Sequence, residues 1–410
     1  PQVVSSHDKA DVSDVLIHPT AKTIQAVAAN HLRKGWTFLD QAVAADYGVL
    51  RKVARGDIEV SSRSLNDQLW TVAFISDSGP VRYYLYDRKT KQATFLFANR
   101  AELDDLTLAK MRPVSLEARD GFELVSYLTL PVGTTSGRGL VPDKPLPMVL
   151  LVHGGPWARD SWGYDSMHQW LANRGYAVLS VNFRGSTGFG KAFLNAGNVQ
   201  WAGTMHHDLL DAVDWAVAKG IAKADKVAIM GGSYGGYATL VGLAFTPKRF
   251  ACGVDIVGPS NLVTLLESIP PYWARYQSLF KKRVGDHTTA AGRKALLARS
   301  PLTRADRIVR PLLIGQGAND PRVKKAESDQ LVKAIQGKSV PVTYVLFPDE
   351  GHGFRRPENK TSFYAVAELF LADCLGGEAE PLGTDLVGSS IQVPVGAAKV
   401  PGLAAALKAK

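Results

Sequence analysis

The chain has 410 residues, of which 46 % are apolar and 21 % are charged. These proportions are typical of a globular protein and exclude a long disordered, collagenous or fibrous chain. Lysine and arginine number 48 against 38 acidic residues, a formal charge of +10. The cations are scattered, and even the tightest group, residues 281–283, has no interleaved aromatic stripe. We therefore expect a generally basic surface and no nucleic-acid partner.

The sequence carries few signals for membrane insertion, export or thiol chemistry. No apolar run approaches the ~18 residues that a membrane span needs, so we expect no span. Residues 1–14 lack the features of a secretory signal, and the chain begins with Pro1 rather than Met, so we expect a truncated N-terminus and leave the compartment open. The only two cysteines, Cys252 and Cys374, are expected to be small core residues rather than part of a disulfide framework or a zinc site.

The chain up to residue 114 contains short, strand-like segments rich in aromatic and β-branched residues. Polar turn sequences separate the predicted strands at residues 58–62, 70–75, 81–86 and 93–97. Such a meander is typical of one blade of a β-propeller, and residues 15–39 resemble part of a second blade. Because a closed propeller needs about four to eight blades, we predict an incomplete β-propeller over residues 1–114.

From residue 115 onwards, strands alternate with helices. Continuous apolar runs indicate strands that are covered on both faces, at residues 123–130, 148–153, 177–183, 226–230, 252–257, 311–315 and 342–347. Helical spacing of apolar residues predicts helices at residues 207–219, 325–335 and 363–374. This alternation predicts a doubly wound, mostly parallel α/β domain over residues 115–376. Residues 377–410 are rich in Gly, Pro and Ala, and we expect an irregular tail there.

Residues 231–235 (G-G-S-Y-G) match the G-x-S-x-G pattern of a nucleophilic serine. The pattern follows a predicted buried strand and precedes a helical stretch at residues 236–244. A serine held in a sharp strand-to-helix turn leaves no room beside it, which explains a glycine at each end of the pattern. The context predicts that Ser233 is the nucleophile of an α/β-hydrolase fold; the alternative is a glycine-rich turn with an incidental serine.

A serine hydroxyl needs a base and an orienting acid, which in this fold follow it in the order acid, histidine. After Ser233 there are two histidines: His287 lies in a polar region without strand signals, whereas His352 directly follows a predicted strand and has a glycine on each side. Asp320 also directly follows a predicted strand, whereas Asp329 lies within a predicted helix. We therefore assign His352 as the base and Asp320 as the acid.

An oxyanion hole requires two backbone N–H donors in this fold. The first is the amide of the residue after the nucleophile, Tyr234. The second comes from the small-residue turn after the strand at residues 148–153, where we choose Gly155. His153 precedes the serine in the chain, and we expect it to pin this turn by a hydrogen bond.

Five motifs in the right order now carry a specific resemblance. They are residues 153–156 (HGGP), 182–190 (NFRGSTGFG), 231–237 (GGSYGGY), 319–323 (NDPRV) and 351–354 (GHGF). Together they resemble the catalytic domain of the prolyl oligopeptidase family of serine peptidases, in its acylaminoacyl-peptidase-like branch. Members of that family carry a propeller before the hydrolase domain, in agreement with the blade-like pattern of the first 114 residues.

The resemblance also implies substrate-binding residues. Arg322 would hydrogen-bond a substrate carbonyl, Val323 would line the pocket for the residue before the scissile bond, and Trp273 would form an apolar wall. A surface ion pair for Arg322 and ordinary core packing for Trp273 are the alternatives. In the dipeptidyl-peptidase branch of the family, adjacent glutamates hold the substrate's free amine; these 410 residues contain no Glu-Glu pair, which disfavours that branch.

The sequence thus predicts a serine peptidase that hydrolyses short peptides or N-acyl-peptides through an acyl-enzyme. We expect this reaction to require no metal and no cofactor, and we leave open whether the protein forms a homo-oligomer. A carboxylesterase with the same triad is the first alternative, because amide and ester hydrolysis share the machinery. A noncatalytic binding protein that uses the propeller segment is the second.

Overall fold

The computed structural model describes residues 3–136, 139–336 and 340–410, and the N-terminal part forms two small antiparallel sheets. The strands of the first sheet are β1 (Val12–Ile17), β2 (Ile24–Asn30) and β3 (Lys34–Phe38). Those of the second are β4 (Asp57–Arg63), β5 (Leu69–Ile75), β6 (Arg82–Asp87) and β7 (Gln92–Ala98). In each sheet successive strands pair with one another. The predicted four-stranded meander and the three-stranded partial blade are therefore confirmed.

A helix that the sequence analysis did not predict joins these two sheets. It is α1 (Gln41–Leu50), and the Asp40 side chain caps it by accepting from the amide of Ala42 at 2.8 Å. Its buried face shares one hydrophobic core with both sheets, built around Tyr47 and Trp70. The two blade-like sheets thus share one hydrophobic core that contains several aromatic side chains.

The rest of the chain is organised by a nine-stranded sheet in the order β16-β15-β14-β13-β12-β10-β11-β9-β8. The strands are β8 (Met111–Glu117), β9 (Glu123–Thr129), β10 (Leu146–Val152), β11 (Ala177–Val181), β12 (Ala222–Gly232), β13 (Cys252–Ile256), β14 (Leu312–Gly317), β15 (Val342–Phe347) and β16 (Gln392–Val395). The six strands β10 to β15 are parallel, and antiparallel strands flank them at both edges of the sheet. This is the predicted α/β-hydrolase architecture.

Helices cover both faces of this sheet. They are α2 (Ser166–Asn173), α3 (Gly190–Ala196), α4 (Thr204–Ala218), α5 (Tyr234–Phe245), α6 (Leu262–Glu267), α7 (Gln277–Arg283), α8 (Ala290–Ala298), α9 (Lys325–Ile335), α10 (Pro357–Leu375) and α11 (Leu403–Ala409). Within β10, Leu150 belongs to the core on one face, whereas its neighbour Val149 belongs to the core on the other. Burial on both faces explains why the central strands read as continuous apolar runs.

The large sheet begins earlier and ends later than the sequence analysis expects. The predicted boundary between residues 114 and 115 falls within β8. The tail is not irregular throughout, since Gln392–Val395 pairs with β15 as an edge strand and Leu403–Ala409 is helical. The expectation of an irregular tail is wrong there because a short edge strand is stabilised by its partner rather than by its own composition.

The expectation of two unpaired core cysteines is also wrong. Cys252 at the start of β13 and Cys374 near the end of α10 form a disulfide, with Cα atoms 6.5 Å apart. Their separation of 122 residues along the chain hides the pairing, which arises because α10 packs against β13. Among the described residues, no helix has the length and apolar character needed to cross a membrane.

Candidate active site

Ser233 occupies the turn between β12 and α5. Its φ of +58° lies in the left-handed region, where a residue other than glycine is strained. Its amide donates to the carbonyl of Ile256 on the adjacent strand β13 at 2.8 Å. A Cβ added at Gly231 would lie 2.5 Å from the carbonyl oxygen of Val152, so β10 passes too close for any side chain. The local structure is the strand–turn–helix expected of a nucleophile elbow.

His352 and Asp320 meet across two neighbouring loops. His352 follows β15, Asp320 follows β14, and His352 Nδ1 lies 2.7 Å from Asp320 Oδ2. The Asp320 side chain is buried, and its Oδ1 accepts from the amides of Arg322 and Val323 at 2.8 and 2.9 Å. With Nδ1 donating to a fixed carboxylate, Nε2 of the imidazole is the nitrogen free to accept a proton.

Two polar residues that the sequence analysis did not select organise these loops. Glu350 is buried and accepts hydrogen bonds from the amides of Arg355 and Arg356, which shapes the chain on the far side of His352. The amide of Asn319 donates to the Glu350 carbonyl at 2.9 Å, so the acid loop and the histidine loop are tied together. Asn319 directly precedes Asp320, and Glu350 lies two residues before His352. This proximity was the only feature of the sequence that could have pointed to them.

One cavity of about 540 Å³ opens onto Ser233 and His352. It is lined by Gly154, Gly155, Trp157, Ser233, Trp273, Tyr276, Leu279, Phe280, Arg322 and His352. The predicted wall residue Trp273 lies there, and the Arg322 guanidinium carbon sits 5.3 Å from the centre of its ring. Val323 is not among the lining residues; it is buried beside Asp320.

The sequence analysis did not predict most of the aromatic residues that line this cavity. Trp273 and Tyr276 lie in the short helical turn Pro271–Tyr276, and Phe280 follows in α7. Phe280 contacts Trp157 and Trp273, with ring centres 5.7 and 5.8 Å apart. The spacing of Trp273, Tyr276 and Phe280 puts them on one helical face, and this periodicity is the signal that could have identified them.

The two expected oxyanion donors are the first residue of α5, Tyr234, and a residue of the loop after β10, Gly155. Tyr234 is the first residue of α5, so the helix provides no partner for its amide, and its ring is buried against Phe183 and Trp201. Burial raises the pKa of the Tyr234 hydroxyl well above its usual range, which leaves this ring a neutral core group. Gly155 lines the cavity with a φ of +123° that favours glycine.

His153 holds the loop after β10 in place by hydrogen bonds, as expected. Its Nε2 lies 3.0 Å from the Ser186 hydroxyl, its Nδ1 lies 2.8 Å from the Gly154 carbonyl oxygen, and its ring stacks on Phe183. Both nitrogens of the imidazole therefore make hydrogen bonds, and these interactions fix the turn that carries Gly155.

The part of the chain that carries Ser233, Asp320 and His352 matches a known family. Residues 162–378 fit the model described as the prolyl oligopeptidase family. The chain belongs to the prolyl oligopeptidase family. The matched segment contains Ser233, Asp320 and His352 and four of the five motifs, all except residues 153–156, and the resemblance to this family is confirmed.

Similar proteins come from two branches of this family. Dipeptidyl aminopeptidase BIII of Pseudoxanthomonas mexicana is 61 % identical over 400 residues, which cover 98 % of this chain and 58 % of that protein. The acylamino-acid-releasing enzyme of Arabidopsis thaliana is 28 % identical over 236 residues, which cover 56 % of this chain and 30 % of that protein. A solved puromycin-hydrolysing peptidase of Mycobacterium tuberculosis has a TM-score of 0.71 at 26 % identity, covering 90 % of this chain and 55 % of that one. This chain thus spans little more than half the length of the first relative.

The first of these relatives weakens the argument against the dipeptidyl-peptidase branch that was based on the missing Glu-Glu pair. The missing Glu-Glu pair disfavours the dipeptidyl branch, yet a protein named for that activity is 61 % identical. Because the match spans only 58 % of that relative, the region that it shares with this chain need not hold the glutamates. The absence of the pair is therefore no evidence against similarity to the dipeptidyl branch.

Proposed function

We propose that this chain carries the catalytic site of a serine peptidase, with Ser233 as nucleophile, His352 as base and Asp320 as orienting acid. One observation carries the proposal: a single cavity opens onto Ser233, in its strained turn, and onto His352, which is joined to Asp320 at 2.7 Å. Membership of the prolyl oligopeptidase family supports the same reaction class.

The proposed reaction begins when Ser233 Oγ attacks the carbonyl carbon of the scissile bond. Its proton passes to Nε2 of His352, while the Nδ1–H stays on Asp320 Oδ2 and stabilises the imidazolium. Collapse of the tetrahedral intermediate breaks the C–N bond, and the same proton leaves with the amine. Water then attacks the acyl-enzyme by the same route, which releases the acid and restores the Ser233 hydroxyl.

The negative charge of the intermediate would be stabilised by backbone donors. The amide of Tyr234 opens α5, where the positive end of the helix dipole favours an anion. The Gly155 amide belongs to the loop that His153 fixes from behind. Rigid donors of this kind lower the barrier without reorganisation during the reaction.

The cavity favours peptides with an apolar group on the acyl side of the bond. Trp157, Trp273 and Phe280 form a continuous aromatic wall beside Ser233. Arg322 stacks on Trp273, which leaves its N–H groups able to donate to a substrate carbonyl. The names of the two relatives, a dipeptidyl aminopeptidase and an acylamino-acid-releasing enzyme, agree with short peptides or N-acyl-peptides as substrates.

Replacing the nucleophile tests this proposal. We expect Ser233→Ala to lower kcat for a peptidyl nitroanilide by several orders of magnitude, since the residual rate comes only from binding and the oxyanion donors. Ser278→Ala, at an exposed position in α7, is the control. A fluorophosphonate probe should label the parent protein and not Ser233→Ala. Near-normal hydrolysis by Ser233→Ala would disprove the assignment.

Peptidase and esterase activity are separated by their substrates. The same acyl group should be presented as a nitroanilide and as a nitrophenyl ester, and kcat/KM compared for both. A peptidase hydrolyses the anilide and releases products from short peptides and N-acyl-peptides, read by mass spectrometry. Turnover of the ester with no detectable cleavage of any amide would favour the carboxylesterase.

A further inference from the structure

A buried acid that the proposed triad does not use lies directly behind the nucleophile. Asp255 is on β13, is 0 % exposed, and pairs in register with Gly231 of β12. The next residue along β13, Ile256, accepts the hydrogen bond from the Ser233 amide at 2.8 Å. The position of the Ser233 backbone therefore depends on how β13 ends.

The end of β13 has an unusual backbone. Val257 has a φ of +50°, which is a genuine outlier for a β-branched residue. Such a conformation is strained and persists only where neighbouring interactions impose it. Asp255 Oδ1 accepts from the Gly258 amide at 2.8 Å, and the Val257 amide donates to the Gly315 carbonyl at 2.8 Å. These two bonds bracket the strained residue.

The carboxyl group of Asp255 is also wedged against the nucleophile's helix. A Cβ added at Gly236, in the first turn of α5, or at Gly258 would overlap with Asp255 Oδ1. The side chain thus fills the space between the turn after β13 and the helix that begins one residue after Ser233. A substitution that shifts the Asp255 side chain would therefore displace the turn that carries Ser233.

The surroundings of Asp255 disfavour the charged form of its carboxyl group. Burial raises the pKa of its carboxyl well above its usual range and outweighs the hydrogen bond from Gly258. Its Oδ2 has no hydrogen-bond partner among the described residues.

We propose that Asp255 is a positioning residue for Ser233. By accepting from the Gly258 amide, it holds Val257 in its left-handed conformation, so that the Ile256 carbonyl meets the Ser233 amide and the nucleophile keeps its geometry. The inference rests on the proposed function, since it concerns the same serine, but it adds a group that never touches the substrate.

Two substitutions at Asp255 test whether its side-chain oxygen does this. Asp255→Asn keeps the shape and the acceptor, and we expect kcat within about threefold of the parent protein. Asp255→Leu removes the acceptor at similar volume; misplacing the nucleophile should lower kcat by about 100-fold with KM within about threefold. Rates are taken per active site, counted with a fluorophosphonate probe. Unchanged kcat in Asp255→Leu, or equal losses in both variants, would overturn the proposal.

A second substitution keeps the test valid if Asp255→Leu folds poorly. Glycine adopts a positive φ without strain, so Val257→Gly removes the need to force the turn. Asp255→Leu in that background should lower kcat by less than about tenfold, and the same 100-fold loss there would overturn the proposal.

Val72→Ala, in the core of the second small sheet, is the control for lost stability alone: it should lower Tm and leave kcat unchanged. If Ser233→Ala stays active, the proposed function itself is wrong; if only Asp255→Leu does, this inference alone fails.

Discussion

Asp320 shows how one side chain can serve two loops. One oxygen accepts from His352, and the other accepts from the amides of Arg322 and Val323. The two backbone hydrogen bonds hold the Asp320 carboxylate in place independently of His352. The imidazole of His352 is therefore oriented by a carboxylate that is itself fixed. Its position after a predicted strand made Asp320 the candidate acid, but the two amide donors became visible only in the three-dimensional structure.

We expect Asp320→Asn to lower kcat by about 10³–10⁴-fold, because an amide cannot stabilise the imidazolium and can favour the wrong tautomer of His352. KM should change little, since Asp320 does not line the cavity. Asp329→Asn, where the carboxylate pairs with Lys325 on the surface of α9, is the matched control and should keep its activity. Retention of more than about a tenth of kcat in Asp320→Asn would contradict the role.

Among the elements, α2 is attached to the large sheet through a buried histidine. His168 lies between two hydroxyls, with Nδ1 2.9 Å from Thr129 Oγ1 on β9 and Nε2 2.8 Å from Ser180 Oγ on β11. Burial lowers the pKa of His168 from 6.5 to about 4. The folded protein therefore holds this imidazole neutral at pH values where the unfolded chain would protonate it.

This shift predicts how stability depends on pH. As pH falls from about 6.5 towards 4, the unfolded chain binds a proton that folded His168 does not. The free energy of unfolding should fall through this window, with a contribution of about 1.4 kcal/mol per pH unit from this residue. Denaturant titrations at several pH values measure it. His168→Gln should flatten the slope, whereas His7→Gln, at an exposed position, should not; an unchanged slope in His168→Gln would contradict the prediction.

The elements that the sequence predicted well are those with their own periodicity. The predicted helix at residues 325–335 has the observed bounds of α9, and the predicted strand at residues 342–347 those of β15. The sequence analysis missed α1–α3, α6–α8, α11, β8 and β16, which are brief and lack a long apolar repeat. Their stability comes from tertiary packing rather than from local preference.

At the scale of the whole molecule, the disulfide connects the sheet to the last long helix. Cys252 and Cys374 close a loop of 122 residues that contains α6–α10 and the loops of Asp320 and His352. Such a cross-link restricts the unfolded chain, and longer loops gain more from it.

We expect Cys374→Ser to lower the free energy of unfolding by about 2–4 kcal/mol, measured by denaturant titration under non-reducing conditions. Reducing agent should lower the Tm of the parent protein and leave that of Cys374→Ser unchanged. Because the disulfide lies away from the cavity residues, kcat below the Tm should stay the same. Equal stability of the two proteins under oxidising conditions would show that the bond is not formed.

Local sequence determined the class of fold, the two blade-like sheets, the nucleophile turn and the choice of His352 and Asp320. Each leaves a short-range signature: an apolar run, a turn sequence, or a glycine beside a functional side chain. Only the tertiary structure decided the Cys252–Cys374 pair, the cavity wall of Trp157 and Phe280, the exclusion of Val323 from that wall, and the place of Asp255 behind Ser233. These depend on which distant elements pack together, and packing partners are set by the summed burial of the whole chain rather than by neighbours in sequence.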